Sequence, residues 1–255
     1  MKKLLFTTVL AVAFLGCKEK TKEATADENA AITEATTETM DAEDEWTELS
    51  LDHWEAFRGG EVPKYWQAED GAIVFNPPTA EERKGDDGKN KSFNLVTKDD
   101  YSSFVLSLEW KISEAGNSGI LWGVSEDEKF NEPYHTGLEI QVLDNEKHPD
   151  AKNGTTHQAG ALYDLVEPSQ DATKPIGEWN TAVITVDHNT NSGNSVLNGV
   201  EVATFPVGGE ELAAMLKGSK FENWEGFGTF KTGKIALQDH GDVVAFRNIQ
   251  IKELK

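Results

Sequence analysis

Residues 104–112 set the pattern for the folded part of the chain. Every even-numbered position there is apolar, while Ser107, Glu109 and Lys111 occupy the alternate ones. A period of two with one apolar and one polar face predicts a half-buried β-strand. Comparable runs predict strands over 119–124, 138–144, 179–187, 196–205, 234–238 and 243–254. Asn198-Gly199, set between apolar runs, is a strong short-range signal for a β-hairpin. Residues 210–217, between Gly209 and Gly218, are the one good helix candidate, and 76–91, with Pro77 and Pro78, reads as a long loop. Many short strands separated by Gly, Asn and Pro turns predict an all-β fold, an antiparallel β-sandwich of the jelly-roll type. A closed barrel is the alternative. No fixed repeat is visible, which disfavours a propeller.

The N-terminus follows different rules. Lys2 and Lys3 precede a run over 4–15 that is apolar except for Thr7 and Thr8, and the run ends at Gly16-Cys17. Twelve helical residues rise about 18 Å, well short of a bilayer core of about 30 Å. The pattern predicts a cleaved export signal over 1–16 rather than a spanning helix. Phe14-Leu15-Gly16-Cys17 resembles a lipobox, which makes Cys17 the expected lipidation site. Residues 18–45 hold three lysines, ten acids and no aromatic residue. Such a segment cannot bury enough apolar surface to offset chain entropy. Residues 17–45 are therefore expected to be a lipidated tether, and 46–255 the folded domain. The expected location is the bacterial cell envelope, anchored by lipid to the outer membrane.

Composition narrows the function classes. The chain carries 45 acidic and 24 basic side chains, a formal net charge of −21. This balance argues against nucleic acid as a partner, because phosphate recognition needs a basic face. One cysteine cannot form an internal disulfide. The sequence contains no G-x-S-x-G elbow, P-loop or H-E-x-x-H motif.

Chemistry concentrates around Glu139. In the strand over 138–144, Leu138, Ile140 and Val142 share one face and Glu139 and Gln141 the other. Asp144 lies an odd number of residues away, so only a bulge or the strand's end would bring it beside Glu139. β-Jelly-roll glucanases carry E-x-D-x-x-E on such a strand; here the pattern is E-x-Q-x-x-D. A retaining glycosidase needs two carboxyl groups about 5–5.5 Å apart, and Gln141 removes the charge between them. Further polar clusters are Asn117-Ser118-Gly119, the segment from His157 to Tyr163, and Gln238-Asp239-His240. Asp144, His148 and Asp150 also suggest a metal site, although their spacing matches no established ligand pattern.

Six ordered motifs carry a resemblance: Asn117-Ser118-Gly119-Ile120; Gly137-x-Glu139-x-Gln141-Val142-Leu143-Asp144; Ala159-Gly160-Ala161-Leu162-Tyr163-Asp164; Gly177-Glu178-Trp179-Asn180; Leu197-Asn198-Gly199; and the run from Gly233 through Gln238-Asp239-His240-Gly241 to Phe246-Arg247-Asn248-Ile249. Together they resemble the 3-keto-disaccharide hydrolase family over 46–254. The chain departs from many members at Leu121-Trp122-Gly123, where an Arg is common, and at Val196, where an aromatic is common.

The resemblance implies a concanavalin A-like jelly roll that cleaves glycosides oxidised to a ketone at C3, by hydrolysis or by 1,2-elimination and hydration. A ketone at C3 acidifies the C2 proton, so one base, one enediolate stabiliser and one acid suffice. Glu139 or His157 is the expected base, with His240 and Arg247 stabilising or protonating. Asn117, Gln141, Asp144, Tyr163, Gln238, Asp239 and Arg247 are expected to bind substrate. Arg247 has an alternative role as partner of a structural carboxylate. A divalent metal chelated by the C2 and C3 oxygens would also serve as stabiliser, though no motif demands one. The competing readings are a non-catalytic carbohydrate-binding surface lipoprotein and an ordinary retaining β-glucanase.

Overall fold

A computed structural model describes residues 45–86 and 88–255, so the expected signal, Cys17 and nearly all of the tether lie outside the described residues. The described strands are β1 (Thr47–Glu48), β2 (Trp54–Ala56), β3 (Trp66–Glu69), β4 (Ala72–Phe75), β5 (Leu95–Thr97), β6 (Phe104–Ile112), β7 (Asn117–Val124), β8 (Leu138–Leu143), β9 (Asn180–Asp187), β10 (Ser192–Leu197), β11 (Val200–Phe205), β12 (Lys234–Leu237) and β13 (Val244–Glu253). Helix α1 (Gly209–Leu216) follows β11. Among the described residues one sheet has eight strands in the order β11-β10-β9-β6-β13-β4-β3, with β1 also on β13. The other has five, in the order β2-β5-β12-β7-β8. Every strand pair is antiparallel. The chain is an all-β sandwich of jelly-roll kind.

Alternation explains the core. The even positions of β6 are buried and its odd positions are only partly covered, so Phe104, Leu106, Leu108, Trp110 and Ile112 face the second sheet. Trp54, Phe75, Phe246, Ile120 and Ile140 belong to the same apolar cluster. Strands β7 and β8 differ, because every residue in both is buried. Their inner face meets the sandwich core, and their outer face lies under loops. The segment 160–163 runs along the free edge of β8: Tyr163 N–H donates to the Glu139 carbonyl, Gln141 N–H to the Ala161 carbonyl and Gly160 N–H to the Gln141 carbonyl. An edge strand is thereby covered and one wall of a cavity is fixed.

β13 corrects one sequence expectation. Alternation placed Arg247 on the same face as Val243, Ala245 and Ile249. Asn248 takes φ 51°, and the β13–β6 register shifts between Arg247 and Gln250. The resulting bulge turns Ile249 and Ile251 into the core beside Val244 and Phe246, leaving Arg247 on the outer face. A bulge inserts one residue and so reverses the alternation beyond it.

The hairpin signal is present between β10 and β11. Asn198 has φ 50° and Gly199 φ 82°, the positive values a type I′ turn needs. Asn198 also accepts from Thr181 N–H at 2.9 Å and donates to the Ala172 carbonyl and to Asn180 Oδ1, each at 2.8 Å. Asn198→Ala should therefore lose about 2–4 kcal/mol in urea unfolding with an unchanged m-value, through lost hydrogen bonds and turn strain. Asn198→Gly, which keeps the turn, should lose less.

Candidate active site

A cavity of about 380 Å³ lies over the outer face of β7 and β8. Asn117, Glu139, Gln141, Gln238 and His240 form its polar end, and Tyr134, Leu165, Phe221, Trp224 and Phe227 contribute an apolar wall. Glu139 is the only carboxyl group among the described residues that line it.

Glu139 projects from mid-strand and is 9 % exposed. Gly119, paired with Gln141 on β7 and so diagonal to Glu139, makes this possible, since an added Cβ would lie 2.7 Å from the Glu139 Cδ. Burial pushes the Glu139 pKa from 4.5 up to about 8; the Lys220 ammonium pulls it down and Asp150 pushes it up. A carboxyl group tuned this close to neutrality can accept and return a proton at physiological pH.

Two amide oxygens at the polar end, Asn117 Oδ1 and Gln238 Oε1, are buried and have no hydrogen-bond partner. A buried acceptor without a donor costs stability, so both are poised for donors that a ligand would bring. Gln238 is fixed by its own backbone: its N–H donates to the Gly119 carbonyl, and its carbonyl accepts from Ser118 Oγ. Gln141 Oε1 accepts from Val142 N–H. His240 has an outer edge open to solvent while its ring is embedded among protein atoms. That desolvation pushes its pKa down, against the pull of Asp242.

Four expected site residues are engaged elsewhere. His157, the alternative base, does not line the cavity: its Nδ1 sits 2.9 Å from Asp150 and its Nε2 2.9 Å from Asp164, so both ring nitrogens are occupied by carboxylates. Asp144 accepts from the backbone N–H groups of Ala115, Glu146 and Lys147. It ties two turns together, and no bulge brings it beside Glu139. Asp239 accepts a bidentate pair from Arg83 at 3.0 and 2.6 Å and also the Phe93 and Gly241 N–H groups, which anchors the loop carrying His240. Arg247 pairs with Glu109 on β6, at 2.7 Å, and its guanidinium lies 4.1 Å over the Trp179 ring on the outer face of the eight-stranded sheet. It takes the structural role that was its alternative.

Tyr163 does line the cavity. Its hydroxyl donates to Asp150 Oδ2 at 3.0 Å, and burial pushes its pKa up. A chain of polar contacts thus runs behind this wall, from Asp150 through His157 to Asp164. It ends at Lys220, whose Nζ is 4.0 Å from Asp164 and 4.1 Å over the Tyr163 ring.

Lys220 and Trp224 were missed in the sequence, and both come from the irregular segment between α1 and β12. Their available signal was a lysine followed by closely spaced aromatics just after Gly218. Lys220 is the only lysine or arginine among the described lining residues. The expected metal set is also corrected: Asp144 and Asp150 are committed as described, whereas His148, His240 and Asp242 bring ligand atoms within 4.8 Å of one another.

Comparison with known proteins gives the family. Residues 41–252 match the family described as 3-keto-alpha-glucoside-1,2-lyase-like domain. A 3-keto-disaccharide hydrolase of Bacteroides thetaiotaomicron is 36 % identical over 233 residues, covering 79 % of this chain and 74 % of the relative. A crystal structure of a candidate glycosyl hydrolase from Parabacteroides distasonis aligns with TM-score 0.69 and 32 % identity, over 80 % of this chain and 89 % of the other. A second from the same organism aligns with TM-score 0.59 and 26 % identity, over 79 % and 99 %. The chain belongs to the 3-keto-alpha-glucoside-1,2-lyase-like domain family and is an enzyme of the hydrolase kind.

Proposed function

We propose that the protein cleaves the glycosidic bond of 3-keto-glycosides by elimination followed by hydration. The observation that carries this reading is that one carboxyl group, not two, faces the cavity. The retaining mechanism needs a nucleophile and an acid about 5–5.5 Å apart, and Asp144, the only other acid of the E-x-Q-x-x-D pattern, is bound to backbone amides. Elimination needs no such pair.

The ionised Glu139 takes the C2 proton, and the C–H electrons move to form an enediolate across C2 and C3. The ketone re-forms as the C1–O bond breaks, C1 and C2 become doubly bonded, and the protonated Glu139 gives its proton to the departing oxygen. Water then adds across the new double bond. Asn117 and Gln238 accept from sugar hydroxyls, and the Lys220 ammonium favours the negative charge as it develops. The family match and the relative from B. thetaiotaomicron support the substrate class. The unpartnered amide oxygens also suit plain sugar capture, and the assay below separates catalysis from binding.

The location rests on sequence. Cys17, after Gly16 at the end of a short apolar run, is proposed as the lipidated residue that holds the enzyme in the cell envelope. Two acyl signals are needed for stable anchoring, which a lipoprotein modification supplies. Cys17→Ser should abolish palmitate labelling and release the protein from the membrane fraction.

Incubation of the purified protein with a glucoside and with its 3-keto derivative should cleave only the latter. Sugar binding without cleavage of either would establish the capture reading instead. Glu139→Gln should lower kcat on the keto sugar by about 10²–10⁴-fold. Burial raises the folded-state pKa of Glu139, so the unfolded chain loses this proton first and wild-type stability falls as pH rises from about 4.5 to about 8. In Glu139→Gln that contribution disappears, leaving the variant a few kcal/mol more stable than wild type at pH 9 and similar to it at pH 4. Thermal unfolding across this range checks the sign. Gly119→Ala places a methyl group where the carboxyl group sits; kcat should fall about 100-fold, because a misplacement near 1 Å suffices for that loss.

A further inference from the structure

We infer that His148, His240 and Asp242 form a binding site for a first-row divalent metal ion at the polar end of the cavity. Their ligand atoms lie within 4.8 Å of one another. Tetrahedral bonds of about 2.1 Å put ligand atoms about 3.4 Å apart, so a pair at 4.8 Å closes by roughly 1.4 Å as the side chains turn onto the ion. Two of the three residues come from the loop after β12, which Asp239 and Arg83 clamp. The third comes from the loop after β8, where the rings of His148 and His240 stand 6.0 Å apart at 81°.

Independent observations point to the same place. Asn117 Oδ1 and Gln238 Oε1 are buried, unpartnered and on the cavity wall beside His240. Asn117 and Gln238 are 4 % and 8 % exposed. The backbone N–H of Asn117 donates to Asp242 Oδ2 at 3.1 Å, the kind of outer-shell bond that orients a ligating carboxylate. The amide oxygens are placed to accept from water or sugar hydroxyls bound to the ion.

The donor set selects the metal class. Calcium and magnesium prefer oxygen ligands throughout, whereas two imidazoles and one carboxylate suit zinc, cobalt, iron or manganese and leave open positions for substrate. Binding has one local cost. His148 Nδ1 accepts from Asp150 N–H at 3.1 Å, and ligation through either ring nitrogen gives this bond up, since the other nitrogen must then carry the proton. In the reaction proposed above, on which this role rests, the ion would polarise the C3 carbonyl and the C2 hydroxyl as a Lewis acid.

The test uses the purified protein after chelator treatment and Co²⁺ alone as the probe, followed by its visible absorption and by calorimetry. One Co²⁺ per chain is expected. His148→Ala and Asp242→Asn should each weaken binding at least about tenfold, with His148→Gln as a substitute should the alanine variant unfold. Less than stoichiometric Co²⁺ in the wild type, or undiminished affinity in both variants, overturns the site. Stoichiometric Co²⁺ without turnover of any 3-keto-glycoside keeps the metal site and overturns the enzymatic reading. Turnover without stoichiometric Co²⁺ keeps the reaction and overturns the metal site.

Discussion

The burial of a single carboxyl group between two strands governs this protein. Glu139 sits on β8, a strand with every residue buried, and a charged carboxylate there is costly. The fold makes room by omission, with Gly119 diagonal to it on β7, and encloses the group with the 160–163 segment laid along the strand. The compensating charge is Lys220, and its position is not independent. It rests on the Tyr163 ring and near Asp164, which His157 links to Asp150, which in turn accepts from the Tyr163 hydroxyl. Removing any member loosens the group that tempers Glu139. His157 therefore matters to the site without touching it, as a residue holding two carboxylates apart.

Much of the fold was legible because alternation maps directly onto a two-sheet sandwich. Strands β6, β9 and β12 and the Asn198-Gly199 hairpin follow their sequence patterns closely. The short strands before residue 98 carry too few residues for a period to show, and they went unread. Within the site, Glu139 and Gln141 were readable because they alternate with Leu138, Ile140 and Val142 on one regular strand. Ile249 was misplaced because a bulge at Asn248 breaks the alternation beyond Arg247, and a positive φ at Asn leaves little trace in the pattern. Asp144 and His157 were misassigned for another reason. Their partners are backbone amides and carboxylates brought in by loop closure, and no local periodicity encodes these contacts. Lys220 and Trp224 lie in a segment with neither period.

The same contrast separates charge from function. The chain's acidic excess does not identify its ligand, because the cavity has its own balance. Glu139, at a pKa of about 8, is largely uncharged at neutral pH, and Lys220 is the cation among the described lining residues. The interior of the site is thus neutral to positive within an acidic protein. A neutral sugar enters such a cavity without a charge to desolvate, and the field inside favours negative charge that develops only during reaction.

The glucanase comparison sharpens that argument. A strand with E-x-D-x-x-E and this one with E-x-Q-x-x-D differ by one methylene at each of two positions, since Gln is longer than Asp and the final Asp shorter than Glu. They differ greatly in electrostatics. A middle aspartate beside Glu139 would push its pKa further up by like-charge repulsion and hold a proton between the two groups. Gln141 adds no charge, and its oxygen is already committed to Val142 N–H, so the basicity of Glu139 is set by burial and by Lys220. That arrangement suits a group that must remove a proton from carbon and then return it to oxygen. It does not suit one that must stay ionised to attack an anomeric centre. The two departures from the glucanase pattern, Gln141 and Asp144, thus favour the proton transfer proposed above over nucleophilic displacement.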